Sequence, residues 1–164
     1  MKFEHQYYHC SNQLKNTLSA EISEIFKAVN SVSWQEEFSF DSTLHQAGYN
    51  KALADQFASL GWEDQPLLRT NPKLIGDHRK GLVFVEIQFG NSATLYRDYY
   101  KFQYGLANGL LSLAVLVVPT APKKFFPTRP RSVQNMAEYN IAENYLTVLP
   151  INVPTLLIGL LPSN

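Results

Sequence analysis

The chain has 164 residues, 45% of them hydrophobic and 17% charged, and its fourteen basic residues balance fourteen acidic ones. Such an apolar fraction builds a real core and excludes disorder as the overall state; the length suits one domain, read here as residues 1–164. Zero net charge argues against a sequence-blind nucleic-acid coat protein but allows a nucleic-acid enzyme, because a local basic face suffices and an acidic metal site subtracts from the total. A lone cysteine, Cys10, excludes an internal disulfide and a multi-cysteine zinc site, and fits a reducing compartment. No apolar run follows the basic start, so no signal peptide is visible. The most apolar stretch, 106–119, is shorter than the roughly 20 residues a bilayer requires. These features predict a soluble, cytoplasmic protein with no membrane partner.

At the start of the chain, His5, His9 and Cys10 form an H-x₃-H-C set that can bind a metal on a helix. A terminus is usually frayed, and the set is not counted as a site. The first strong helical signal covers 11–32: Leu14, Leu18, Ile22, Ile25, Phe26, Val29 and Val32 share an arc about 120° wide. Glu24 and Lys27 project from the opposite side, whereas Glu21 borders the arc beside Leu14, Leu18 and Ile25. A polar stretch, 33–49, precedes a helix over 50–60 with Leu53 and Phe57 inward and Gly61 as its stop. A loop with Asp64, Pro66 and Pro72 follows. Residues 73–77 and 82–89 read as two strands, with Arg79-Lys80-Gly81 as the turn. Ser92 is placed to cap a third helix carrying Leu95, Tyr99, Phe102 and Leu106 on one face; Arg97 and Lys101, one turn apart, can pair or bind phosphate, with a surface role the favoured reading. Residues 110–118 form an apolar run, expected of a strand buried on both faces.

Beyond that strand, 123–131 is a basic, proline-punctuated loop. Its Lys123, Lys124, Arg129 and Arg131, with Phe125 and Phe126 among them, either contact DNA phosphates or form a solvated charge run. A fourth helix from Ser132 to about 146 and a buried strand over 153–161 complete the pattern. The order predicts an α/β sandwich around a mixed β-sheet, with an antiparallel hairpin feeding parallel crossovers and flanked by helices.

The hairpin carries the chemistry. In its second strand Val83, Val85, Ile87 and Phe89 face one way; Phe84, Glu86 and Gln88 face the other. A carboxylate in a strand this apolar needs a partner, since burying it alone is costly. Asp77 falls on the same face in either of two registers. With the turn at Lys80-Gly81 it lies opposite residue 84, diagonal to Glu86; one residue later it lies opposite Glu86 itself. Two carboxylates converging on a sheet face suit Mg²⁺, a hard cation that takes oxygen ligands and keeps several waters. The main-chain carbonyl of Ile87 can serve as a further ligand. Taken singly, Asp77 also reads as a turn-flanking residue and Glu86 and Gln88 as a solvated sheet face.

Asp77 followed nine residues later by Glu86-Ile87-Gln88 resembles the motif of the PD-(D/E)XK nucleases. Gly76 stands where that family often has Pro, and Gln88 where it usually has Lys. The Glu-x-Gln form is similar to the BglII/BstYI branch of type II restriction endonucleases. So are 85–91, Asp98 with Lys101-Phe102, 113–119 and 154–160; the likeness covers roughly 14–32 and 48–161.

The resemblance implies a restriction-endonuclease-like core and a Mg²⁺-dependent endonuclease cutting double-stranded DNA, with Mn²⁺ as a substitute. It also implies a two-fold dimer and a supporting glutamate on the first helix, for which Glu21 is the candidate and Glu24 the second. In that chemistry Asp77 and Glu86 hold the metal, and a water made acidic on it attacks the phosphodiester. Gln88 is no base at ordinary pH and only orients the water. A repair or phage nuclease of the same fold, or an inactive DNA-binding protein built on it, are the rival expectations.

Overall fold

The computed structural model describes residues 1–40, 45–129, 131 and 133–162. The chain begins with a strand that the sequence does not reveal, β1 (Phe3–Tyr8), mostly exposed and antiparallel to the last strand. In this setting His5 packs its ring on Phe26, 4.8 Å between centroids, and His9 adopts φ 55°. The H-x₃-H-C set thus lies in and just after a strand, not on a helix, and among the described residues no three His, Cys, Asp or Glu side chains gather as metal ligands.

The long helical signal is split. In α1 (Asn12–Thr17) the Ser11 side chain accepts from the Leu14 N–H, and the helix ends at Leu18, whose φ of −101° and ψ of 19° leave helical geometry. From there α2 (Ser19–Ser31) buries Ile22, Ile25, Ala28 and Val29. After α3 (Glu36–Phe40), α4 (His45–Ser59) begins within the stretch expected to be irregular. Its first turns are held by the fully buried Tyr49 and by Gly48, where a Cβ would stand 2.5 Å from the Phe38 ring. Leu53 and Phe57 face inward as expected, and Gly61 ends the segment at φ 77°.

The short strands β2 (Glu63–Asp64), β3 (Leu67–Arg69) and β4 (Leu74–Ile75) lead into β5 (His78–Lys80) and β6 (Val83–Ile87). Residues 73–77 are therefore not the partner of β6: Leu74–Ile75 pairs with β3, and the β5–β6 hairpin starts at His78. Its turn is Gly81-Leu82, with Gly81 at φ 54°, so Arg79 and Lys80 are strand residues. The chain continues through α5 (Thr94–Ala107), β7 (Leu113–Pro119), α6 (Pro122–Phe125), α7 (Tyr139–Val148) and β8 (Thr155–Leu160). At the start of α5 the Asn91 side chain, not Ser92, accepts a hydrogen bond, from the Ala93 N–H. The fourth helix starts at Tyr139, later than expected, and its expected cap Ser132 lies outside the described residues.

Six strands form one mixed sheet in the order β1-β8-β7-β6-β5-β2. The β6, β7 and β8 strands are parallel, while β1, β5 and β2 each pair antiparallel with their neighbours. Alternation along the strands makes two cores. Val83, Val85, Ile87, Val115, Val117 and Ile158 pack with α2 and α4 residues such as Ile25, Val29, Leu53 and Phe57. Phe84, Ala114, Leu116, Val118 and Leu157 pack with α5 and α7 residues such as Leu95, Phe102, Ala142 and Leu146. Helices thus cover both faces, and the strands read as unbroken apolar runs for that reason.

Candidate active site

The β5–β6 register pairs His78 with Val85, which puts Asp77, just before β5, across from Glu86: the second of the two registers left open by the sequence. Asp77 Oδ2 accepts from the Ile87 N–H at 2.7 Å, so the carboxyl is anchored to the end of β6. A polar cleft of about 290 Å³ opens there on the α4 side. Asp77 and Ile87 line it together with Lys51, Asp64 and His78.

Glu86 belongs to the other sheet face. It is 3% exposed, and Lys101 of α5, equally buried, brings its Nζ 2.8 Å from Glu86 Oε1. The same ammonium lies 3.2 Å from Asp98 Oδ1, one turn back on α5. Both distances are those of ion pairs, yet neither oxygen accepts a well-directed hydrogen bond. Asp98 Oδ2 accepts from Gln88 Nε2 at 2.7 Å, and Gln88 Oε1 accepts from the Gly90 N–H at 2.8 Å. Gln88 is therefore held at both ends of its amide, with one N–H and one lone pair left over. Gly90 permits this: a Cβ there would stand 2.6 Å from Gln88 Oε1. A second cleft of about 210 Å³, lined by Lys73, Leu74, Ile75, Arg97 and Lys101, approaches this network from the α5 side.

Burial holds both acids above the ordinary carboxylate range. For Asp77 the Ile87 N–H and the Lys101 charge oppose the rise. Glu86 is pushed well up, by burial first and by the Asp77 charge next, against the pull of Lys101. His78 shares the rim of the Asp77 cleft but turns its ring toward α4. It is 3% exposed, stacks on Phe57 at 4.7 Å, and burial lowers its pKa.

A hard cation fits this donor set. Asp77 and Glu86 continue the β5–β6 register as opposed residues at the end of the strand, both are destabilised as anions by burial, and the Asp77 charge adds to the rise at Glu86. Among the described residues no three His, Cys, Asp or Glu side chains gather as a ligand group; a cation at Asp77 and Glu86 would draw on main-chain oxygen and water as well, the kind of set that Mg²⁺ takes.

The other expected residues scatter. Glu21, half-buried, sits in the first turn of α2. Glu24, expected to face away, instead reaches the hairpin: it accepts from Trp62 Nε1 at 2.8 Å and from Lys80 Nζ at 2.7 Å. Lys123 and Lys124 are exposed on α6, beside a cleft of about 380 Å³ that Thr120 and Gln134 also line. Arg129 is half-buried with its Nη1 2.8 Å from His45 Nδ1, and Arg131 is exposed at a cleft shared with Gln46, Phe89 and Asn91. Phe125 and Phe126 are fully buried core residues, not part of a contact surface.

Lys101 and Asp98 were the residues whose place the sequence concealed, Lys101 having read as a surface residue. One signal was available. At 100° per residue Asp98 lies only about 40° from Phe102, on the border of the apolar face of α5.

A family model described as restriction endonuclease BglII/BglIII matches residues 3–160. No curated protein sequence matches the chain. Among solved structures, the crystal structure of restriction endonuclease BglII complexed with a DNA 16-mer superposes with a TM-score of 0.75 at 17% identity. That match covers 99% of this chain and 78% of the other, a likeness of fold.

Proposed function

Because the chain belongs to the BglII/BglIII restriction endonuclease family and is thus a type II site-specific deoxyribonuclease, we propose that it hydrolyses double-stranded DNA with Mg²⁺ held by Asp77 and Glu86. The observation that carries this reading is the pairing of those two carboxyls across the hairpin at the end of β6, both strained as anions by burial. The main-chain carbonyl of Ile87, a residue that lines the Asp77 cleft, is the further ligand we assign. The chemistry supplied by bound Mg²⁺ is a more acidic water and neutralisation of charge on the scissile phosphate; Mn²⁺ supports the same chemistry.

The protein's own groups position the reactants. Hydrolysis forms a bond from the water oxygen to phosphorus and breaks one ester P–O bond; the attacking water gives up a proton to bulk water or a substrate phosphate, and the departing oxygen takes one from solvent. Gln88, clamped between Asp98 and Gly90, offers its remaining N–H and lone pair to the water or to a phosphate oxygen without acting as a base. Its proton inventory leaves no alternative, since an amide does not take up a proton at ordinary pH. Lys123, Lys124 and Arg131, exposed at clefts beyond the ends of β7 and β6, supply phosphate contacts. Arg129 joins them from its seat on His45. We assign Glu21 a supporting place only if DNA draws α2 toward the site. Cutting both strands of a two-fold site needs two such centres, so the working form is a homodimer.

The test is plasmid cleavage with Mg²⁺, with EDTA, and by Asp77→Ala and Glu86→Ala. Discrete fragments that disappear in EDTA and in both variants, at unchanged melting behaviour, are expected. Wild-type cleavage by either variant overturns the site. A smear of products favours a non-specific nuclease of the same fold. Light scattering in the presence of DNA is expected to give about twice 18.6 kDa for the protein component.

A further inference from the structure

The buried lysine on α5 has no place in the scheme above, and its surroundings give it one. Lys101 is 3% exposed; a buried ammonium is costly unless charged partners surround it. Its partners are Glu86 at 2.8 Å and Asp98 at 3.2 Å, and Asp98 in turn holds the Gln88 amide at 2.7 Å. One cation therefore touches a proposed metal ligand directly and the water-orienting residue through one intermediary.

We propose that Lys101 is a positioning residue of the cleavage site: its ammonium fixes the Glu86 carboxylate and, through Asp98, aims the Gln88 amide. The inference rests on the reading of Asp77 and Glu86 as the metal-holding pair. It gives the site a fixed positive charge from the helix behind the sheet, whereas β6 itself carries an amide at 88.

Charge counting makes the idea testable. Asp77, Glu86 and Asp98 with Lys101 sum to two net negative charges when all are ionised. Lys101→Met leaves three negative charges and one fewer competitor for Glu86. A cation is then held more tightly while the groups that aim the water are set loose. Damage to the fold cannot produce that combination, because a distorted site loses affinity and rate together. The double variant Asp98→Asn with Lys101→Met restores two negative charges and leaves one buried carboxylate, Glu86, without its ammonium where the single variant leaves two, so it is the milder test of the fold.

The experiment titrates Mn²⁺ into the purified protein and follows the free ion by electron paramagnetic resonance. Single-turnover cleavage of one duplex is measured alongside. Wild type must bind Mn²⁺ and Glu86→Gln must lose most of that binding; if not, the metal-site reading itself fails. Given that, Lys101→Met is expected to bind Mn²⁺ about tenfold more tightly and to cleave at least a hundredfold more slowly. The double variant is expected to bind within about threefold of wild type and to cleave as slowly as the single one. Lys101→Arg, which keeps the charge, is expected to hold wild-type affinity and to recover part of the rate. Unchanged cleavage by either Met-containing variant overturns the proposal, and so does weakened Mn²⁺ binding in a folded Lys101→Met protein.

Discussion

Gly76→Ala tests how tightly the entry to the hairpin is built. A Cβ at this position would lie 2.0 Å from Phe84 Cζ and 2.3 Å from Cε2. Carbon contacts settle near 3.5–4.0 Å, so ring or backbone must give by about 1.5 Å. Neither yields easily. Phe84 is fully buried and stands edge-on to Phe102, and the Gly76 N–H donates to the Pro66 carbonyl while the Asp77 carbonyl accepts from the Gln65 N–H. Overpacking of this kind costs about 1–3 kcal/mol. Taking about 2 kcal/mol, the melting temperature should fall by roughly 4–8 °C for a chain of this size. Any backbone shift passes to Asp77, so cleavage should fall too. Phe84→Leu empties the contested space and alone costs on the order of 1–2 kcal/mol. In the double variant the two losses should not add: denaturant melts should show a favourable coupling of about 1 kcal/mol or more. Additive losses, or a Gly76→Ala protein as stable as wild type, would refute the packing argument. The same geometry explains a departure from the wider nuclease pattern. A proline ring at 76 would meet Phe84 and remove the donor that Pro66 requires.

Gly90→Ala should push Gln88 Oε1 off its 2.8 Å bond to the Gly90 N–H; single-turnover cleavage should slow about 10-fold with little change in melting temperature, and an unchanged rate would show that this anchor is dispensable. Glu24→Gln should cost about 1 kcal/mol at pH 7, since it weakens a half-buried pair with Lys80. Lys80 holds the Glu24 carboxyl below its ordinary value, so the folded state binds fewer protons than the unfolded one. The contribution is full above about pH 4.5 and vanishes as pH falls through the depressed folded value; wild-type and variant melts should converge in acid, and parallel curves would count against the pair. Glu86 has the opposite sign. Its raised pKa means that ionisation weakens the fold as pH rises above the unfolded value. Without divalent ions, the melting temperature of Glu86→Gln relative to wild type should therefore rise from pH 4 to pH 8, with no cleavage by the variant; a difference that falls over that range would refute this.

The parts of the fold legible in the sequence were those whose signal is a repeat. Ile22, Ile25 and Val29 at helical spacing, and Val83, Val85 and Ile87 at strand spacing, marked two elements and the face on which Glu86 would lie. The β1 strand stayed hidden because an edge strand buries little, and Glu4, His5 and Gln6 face water without an apolar alternation to betray them. The start of β5 was misplaced because Leu74-Ile75 is the more apolar stretch, although it pairs with β3; the fully buried Phe84 beside Gly76 shows where the tight packing falls. Lys101 was misread for a physical reason: charge predicts exposure unless paired partners are known, and Glu86 reaches it only across the sheet-to-helix contact.

The pairing of β1 with β8 also governs when the protein becomes itself. Phe3 is the register partner of Leu160, and Tyr8 of Thr155, so the two ends of the sequence are zipped into neighbouring strands. The β8 strand is equally the parallel partner of β7, which flanks the catalytic strand. Contacts of such long sequence separation form late, since chain entropy must be surrendered before they return anything. The β5–β6 hairpin can close early and locally, but the sheet that stiffens it waits for residues near 160. A chain synthesised only as far as the β5–β6 hairpin therefore lacks the β7 and β8 strands against which β6 and β1 are laid.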